Sequence, residues 1–113
     1  MSEDLIINIA RDFTPFPGGR HYEDGPYSGE RFLQEHLLPS IRRAEVEGSH
    51  VVISIDGVAG LPPSFLEEAF GGLLRSGEVT LEEALRLIRF QAKTPRVSTY
   101  PTQIEDYMRA AAA

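Results

Sequence analysis

Val51-Val52-Ile53-Ser54-Ile55-Asp56-Gly57-Val58-Ala59-Gly60-Leu61-Pro62-Pro63-Ser64-Phe65-Leu66-Glu67-Glu68-Ala69-Phe70 is the stretch that decides the fold. Four β-branched residues around Ser54 predict a strand. The lack of clean apolar–polar alternation predicts that both its faces are covered, as at the centre of a helix-flanked sheet. Gly57, Gly60, Pro62 and Pro63 then break the extended run into a tight loop. Ser64, with Glu67 three residues on, reads as a capping box opening a helix whose inner face is Phe65, Leu66, Ala69, Phe70, Leu73 and Leu74. In an open α/β sheet, the loop after the carboxyl end of a strand is where ligands and partners meet the protein.

Upstream, the aliphatic residues 5–9 predict a first strand. Pro15, Pro17, Gly18, Gly19, Gly25 and Pro26 make residues 11–28 a long loop, with a hairpin or edge strand near residues 20–22 and Phe13, Phe16, Tyr22 and Tyr27 tethering it to the body. Ser28 is an N-cap with Glu30 in the first turn, and Phe32, Leu33, His36, Leu37, Ile41 and Ala44 recur at helical spacing. Pro39 should kink or split that helix near Glu35, and Gly48 suits its end.

Downstream, Gly71-Gly72 costs the second helix roughly 1 kcal/mol per glycine, which implies close packing against the sheet, and Ser76-Gly77 ends it. Thr80-Leu81-Glu82-Glu83 is a second capping box, for a short helix; residues 85–90, where Leu85 and Leu87 alternate with Arg86 and Arg89, either continue that helix or turn into a strand, the strand being favoured at 87–90. Thr102-Gln103-Ile104-Glu105 is a third, for a terminal helix carrying Ile104, Tyr107 and Met108. Alternating strands and helices predict one α/β domain over residues 1–113, with a small, partly parallel sheet flanked by helices.

The composition narrows function. A net charge of −6 argues against a nucleic-acid footprint, which needs clustered Lys and Arg, and favours a protein or small-molecule partner. No apolar run approaches the roughly 20 residues that span a bilayer. The acidic start, Met1-Ser2-Glu3-Asp4, lacks a signal pattern, so a cytoplasmic microbial or phage protein is the expectation. The absence of cysteine removes disulfides, thiolate metal sites and a cysteine nucleophile. His21, His36 and His50 lack metal-ligand spacing, and no Walker or dinucleotide pattern occurs, so no metal or cofactor is expected. Glu67-Glu68 and Glu82-Glu83 are explained as first-turn acids, and no nucleophile has a base at known spacing, so a non-catalytic role is expected.

Two blocks carry a family resemblance. Gly25-Pro26-Tyr27-Ser28-Gly29-Glu30-Arg31-Phe32 followed by Leu37-Leu38-Pro39, and Gly57-Val58 with Ser64-Phe65-Leu66-Glu67-Glu68-Ala69-Phe70-Gly71, resemble the STAS-like domain family of unknown function (DUF4325). The similarity runs from Leu5 to about Phe90. It implies a fold like the STAS domains of anti-sigma factor antagonists, in which the loop and helix after the central strand bind a histidine-kinase-like ATPase. On that reading Asp56, Leu61, Pro62, Pro63, Ser64, Glu67 and Glu68 form the partner-binding surface. The antagonists' Asp-Ser-Ser is Pro62-Pro63-Ser64 here, so Ser64 alone remains as a phosphoacceptor, and Ser54 stands where the family often carries an acid.

Ser64 is equally accounted for as a helix cap. Asp56, at the strand end, is either part of the docking surface or a turn residue bonded to its own backbone. The alternative function is a small-ligand or nucleotide-binding protein, possibly enzymatic. It would use the loop 16–30, where Arg20, His21 and the helix start at Ser28 form an anion-binding nook. Oligomeric state is left open by the sequence.

Overall fold

The computed structural model describes residues 3–113. Three strands, β1 (Leu5–Asn8), β2 (Val51–Ser54) and β3 (Ile88–Gln91), form a sheet in the order β1-β2-β3. Both pairings are parallel, with Ile7 level with Ile53 and Ile53 level with Phe90. The stretch that opened the sequence thus supplies the middle strand.

Helix α1 begins at Gly29–Phe32, widens into a π-type turn at Leu33–Leu37 and continues through Leu38–Glu47. Pro39 neither splits this helix nor ends it. The Leu38 N–H donates to the Leu33 carbonyl, five residues back, so the strain set by the proline ring is taken up one turn earlier. Gly48 closes α1 in the left-handed region (φ 67°), as its sequence position requires. Helix α2 runs through Pro63–Leu66, a second wide turn at Glu67–Gly71, and Gly72–Arg75. Helix α3 is Leu81–Leu87 and α4 is Tyr100–Ala112.

The buried apolar side chains form one contiguous cluster. Phe32, Leu37 and Ile41 of α1, Phe65, Phe70 and Leu73 of α2, and Ile104 and Met108 of α4 are fully buried within it, together with Ile53 and Ile55. The helices pack on the sheet face formed by Ile7, Val51, Ile53 and Ile88. On the opposite face Ile6 is 60% exposed, Val52 is half-buried and Arg89 is exposed, and along β2 on this face only Ser54, at the strand end, is buried, so the covering of β2 on its second side is partial and not complete as expected. Topology supplies the reason: both crossovers step in the same direction along the sheet, and right-handed connections then place every crossover helix on one face.

Local differences from expectation have equally simple causes. Residues 20–22 form no strand; a single helical turn at Tyr22–Asp24 replaces the hairpin. Of the four aromatic tethers Phe13 is the inner one, its ring against Phe32, His36, Phe65 and Tyr27; Tyr27 and Tyr22 are partly exposed but still reach the body, Tyr27 through Phe13 and Arg31 and Tyr22 through its hydroxyl to Glu35, whereas Phe16 faces solvent. The glycine pair at 71–72 is not explained by the sheet: a Cβ on Gly72 would sit 2.9 Å from Leu33 Cδ2 of α1, and one on Gly71 would meet the Glu67 and Arg75 side chains of its own helix. No helix among the described residues is long and apolar enough to cross a membrane.

Candidate functional site at the carboxyl ends of the strands

At the same end of the sheet β1 runs into a wide helical turn (Ile9–Phe13) while β2 and β3 lead into loops, and these segments are sewn to one another. Asp56, just past β2, accepts hydrogen bonds from the backbone N–H groups of Thr94 (2.8 Å) and Lys93 (3.1 Å), just past β3. Those two bonds hold its carboxyl below the usual carboxylate range, Thr94 first. Asp56 therefore bridges two loops and does not close its own turn. Gly57 follows at φ 101°, a conformation that glycine adopts without strain.

The loop from Val58 to Pro62 is fixed from three directions. The Ala59 N–H donates to the Pro15 carbonyl (2.7 Å), the Leu61 N–H donates to the Tyr100 hydroxyl (3.1 Å), and the Arg96 guanidinium donates to the Val58 and Ala59 carbonyls (2.6 and 2.8 Å). Leu61 itself is buried (4% exposed) and anchors the loop from below, so it does not belong to the outward surface expected of it. Pro63 is exposed, and Pro62, Ser64 and Asp56 are half-buried.

Pro62, not Ser64, occupies the N-cap position of α2, with Pro63 as the first helical residue. A proline there has a preset φ and no N–H to leave unsatisfied, and it outcompetes the serine for the helix start. The capping box from Ser64 to Glu67 consequently does not form. Ser64 lies one residue inside the helix.

Glu67 and Glu68 are engaged elsewhere. Arg20 reaches both (2.5 and 3.3 Å to their carboxylates), and Arg75 pairs with Glu67 at 2.5 Å. Arg75, then Arg20, holds the Glu67 carboxyl below the ordinary glutamate range. This network staples the loop before α1 onto α2. Beneath it α1 and α2 touch at Gly29, where a Cβ would lie 2.6 Å from the Phe65 carbonyl oxygen. Since α4 packs along the other flank and the residues from Phe65 to Leu73 other than Glu67 and Glu68 are buried, the body of α2 offers no free docking face. The outward surface contracts to the loop and the first turn of the helix.

The nook expected around Arg20, His21 and Ser28 is already filled by the chain's own groups. Arg20 is held by Glu67 and Glu68, His21 Nδ1 faces Glu30 (3.6 Å), and Ser28 Oγ accepts from the Arg31 N–H. The first helical N–H groups, of Gly29 and Glu30, donate to the Gly19 and Arg20 carbonyls. An anion arriving there would find its donors occupied and two glutamates beside it. His36 stacks on Phe32 (5.8 Å between centroids) as a packing residue.

Sequence reasoning missed three contributors to the strand-end surface: Phe16, Arg96 and Tyr100. Phe16 is 73% exposed and stands over a shallow, open hollow of about 430 Å³ that it shares with Pro17, Ala59, Leu61, Pro62 and Tyr100. Only the Pro-Phe-Pro run at residues 15–17 hinted at a presented aromatic.

A family model, the STAS-like domain of unknown function (DUF4325), matches residues 28–96, more than half of the chain. No curated protein and no solved structure gives a significant match.

Proposed function

The chain belongs to the family of STAS-like domains of unknown function, and on that premise we propose that it is a non-catalytic regulatory module that docks a protein partner, a histidine-kinase-like ATPase being the class the family resemblance implies. The observation that carries this reading is the pre-formed loop after β2. Its backbone is tied to Pro15, Arg96 and Tyr100 and stiffened by Pro62 and Pro63. A loop already held in one conformation loses little entropy when a partner arrives, which favours recognition.

Within this reading Asp56 shapes the loop, Pro62, Pro63 and Ser64 contact the partner, and Glu67 and Glu68 form its charged margin. Ser64 is the switch. A phosphate there would add close to two negative charges beside Glu67 and Glu68, opposing docking by repulsion and bulk. The small-ligand alternative finds less support, because the donors it requires are consumed within the chain.

The test is a titration of the purified chain against the kinase-type ATPases encoded in the same genome. One should bind, and Pro63→Glu and Ser64→Glu should each weaken binding about tenfold while the melting temperature holds. Failure of every such ATPase to bind, or indifference of the complex to both substitutions, contradicts the reading.

A further inference from the structure

Phe16 does nothing for the core. At 73% exposure it is turned outward, yet its backbone is precisely constrained: its N–H bonds the buried Thr14 hydroxyl (3.1 Å), and prolines flank it on both sides. An exposed aromatic whose backbone is held this firmly presents apolar area at little entropic cost. Facing it across the hollow are Pro62 and the ring of Tyr100.

The polar groups around this hollow are mainly donors. Tyr100 uses its oxygen to accept from Leu61, which leaves its own O–H free to donate outward. Arg96 is bound to two carbonyls and, among the described residues, forms no ion pair. Lys93, three residues upstream, is exposed, and Asp56 accepts from the backbone N–H groups of Lys93 and Thr94. In a chain of net charge −6, Arg96 and Lys93 put two cations on the loop after β3, and Arg96 holds the Val58–Ala59 wall of this apolar hollow.

We propose that the hollow between Phe16 and Tyr100 receives a large apolar side chain from an acidic linear segment of the protein partner, with Arg96, Lys93 and the Tyr100 hydroxyl meeting the flanking carboxylates. This rests on the docking reading above and gives the partner's chemistry. Charge complementarity selects the occupant: a basic segment would meet Arg96 and Lys93, and a neutral one would leave the donors unmatched.

The test selects a phage-displayed library of random linear peptides on the immobilised full chain, then titrates the enriched peptides by fluorescence polarisation. The expected sequences carry one Leu, Phe or Trp flanked by Asp and Glu. Phe16→Ala, at a position too exposed to disturb folding, should weaken them about tenfold. High salt, Arg96→Gln, and replacing the peptide's acids by amides should each weaken binding several-fold, with Arg96→Lys retaining most of it. No enrichment, neutral or basic consensus sequences, or indifference to Phe16→Ala overturns the inference. An ATPase complex sensitive to Pro63→Glu but not to Phe16→Ala overturns this inference alone; the reverse sensitivity overturns the docking surface proposed for Pro63 and Ser64.

Discussion

At Gly29 the backbones of α1 and α2 meet so closely that a single methyl group has no place: a Cβ would lie 2.6 Å from the Phe65 carbonyl oxygen and 3.2 Å from the Ala69 nitrogen. Both neighbours are backbone, so the helices themselves must separate. Gly29→Ala should cost about 1–3 kcal/mol, read as a lowered urea midpoint with unchanged slope. Ser49 points the other way. Its buried hydroxyl lacks a hydrogen-bond partner among the described residues, so Ser49→Ala should stabilise by about 1 kcal/mol and raise the melting temperature. Glu67 makes a pH-dependent contribution. Because Arg75 and Arg20 lower its pKa in the folded state, its stabilisation is present above the ordinary glutamate pKa and is lost as pH falls through the depressed one. Glu67→Gln should therefore destabilise at neutral pH, and the gap to the parent should close under acid, as followed by thermal melts across pH. None of these three roles is visible in sequence. Ser28 announced a helix start, but the approach of Phe65 to Gly29 and the reach of Arg20 across 47 residues exist only through space.

Among the elements, helix starts separate what local pattern determines from what it only suggests. Thr80 and Glu83 form the capping box that their spacing predicts, each side chain bonding the other's backbone N–H (3.1 and 2.8 Å). The boxes read at Ser64 and Thr102 do not form, because both helices start upstream of them, with Pro63 at the first helical position of α2 and Pro101 at the second of α4. Thr80→Ala should accordingly cost about 1 kcal/mol in a denaturant titration, while Ser64→Ala stays within about 0.5 kcal/mol of the parent. The same competition explains Pro39, whose effect emerges as a widened turn at Leu33–Leu37 and not as a break. The turn from helix to strand at Ile88 was only half readable, because Leu85 and Leu87 alternating with Arg86 and Arg89 fit either element; α3 ends at Leu87 and the next residue begins β3.

For the whole molecule, the strand–loop–helix stretch around β2 was enough to predict an α/β sheet and to point to its carboxyl end. Its covering was not predictable, since four β-branched residues around one serine look the same in a one-sided sheet as in a two-sided one. The one-sided arrangement matters for function. The crossover helices α1 and α2 share one face, α2 is enclosed by α1 and α4, and the proposed docking surface contracts from a helix face to the loop that Pro15, Arg96 and Tyr100 hold in place. Hydrogen–deuterium exchange of the chain, alone and saturated with the kinase-type ATPase proposed as its partner, tests this most directly. The account predicts that residues 65–74 are protected before the partner is added, and that binding adds protection at residues 56–64 and around Tyr100. New protection confined to the open sheet face at Ile6, Val52 and Arg89, or to the loop at residues 18–30, would contradict it.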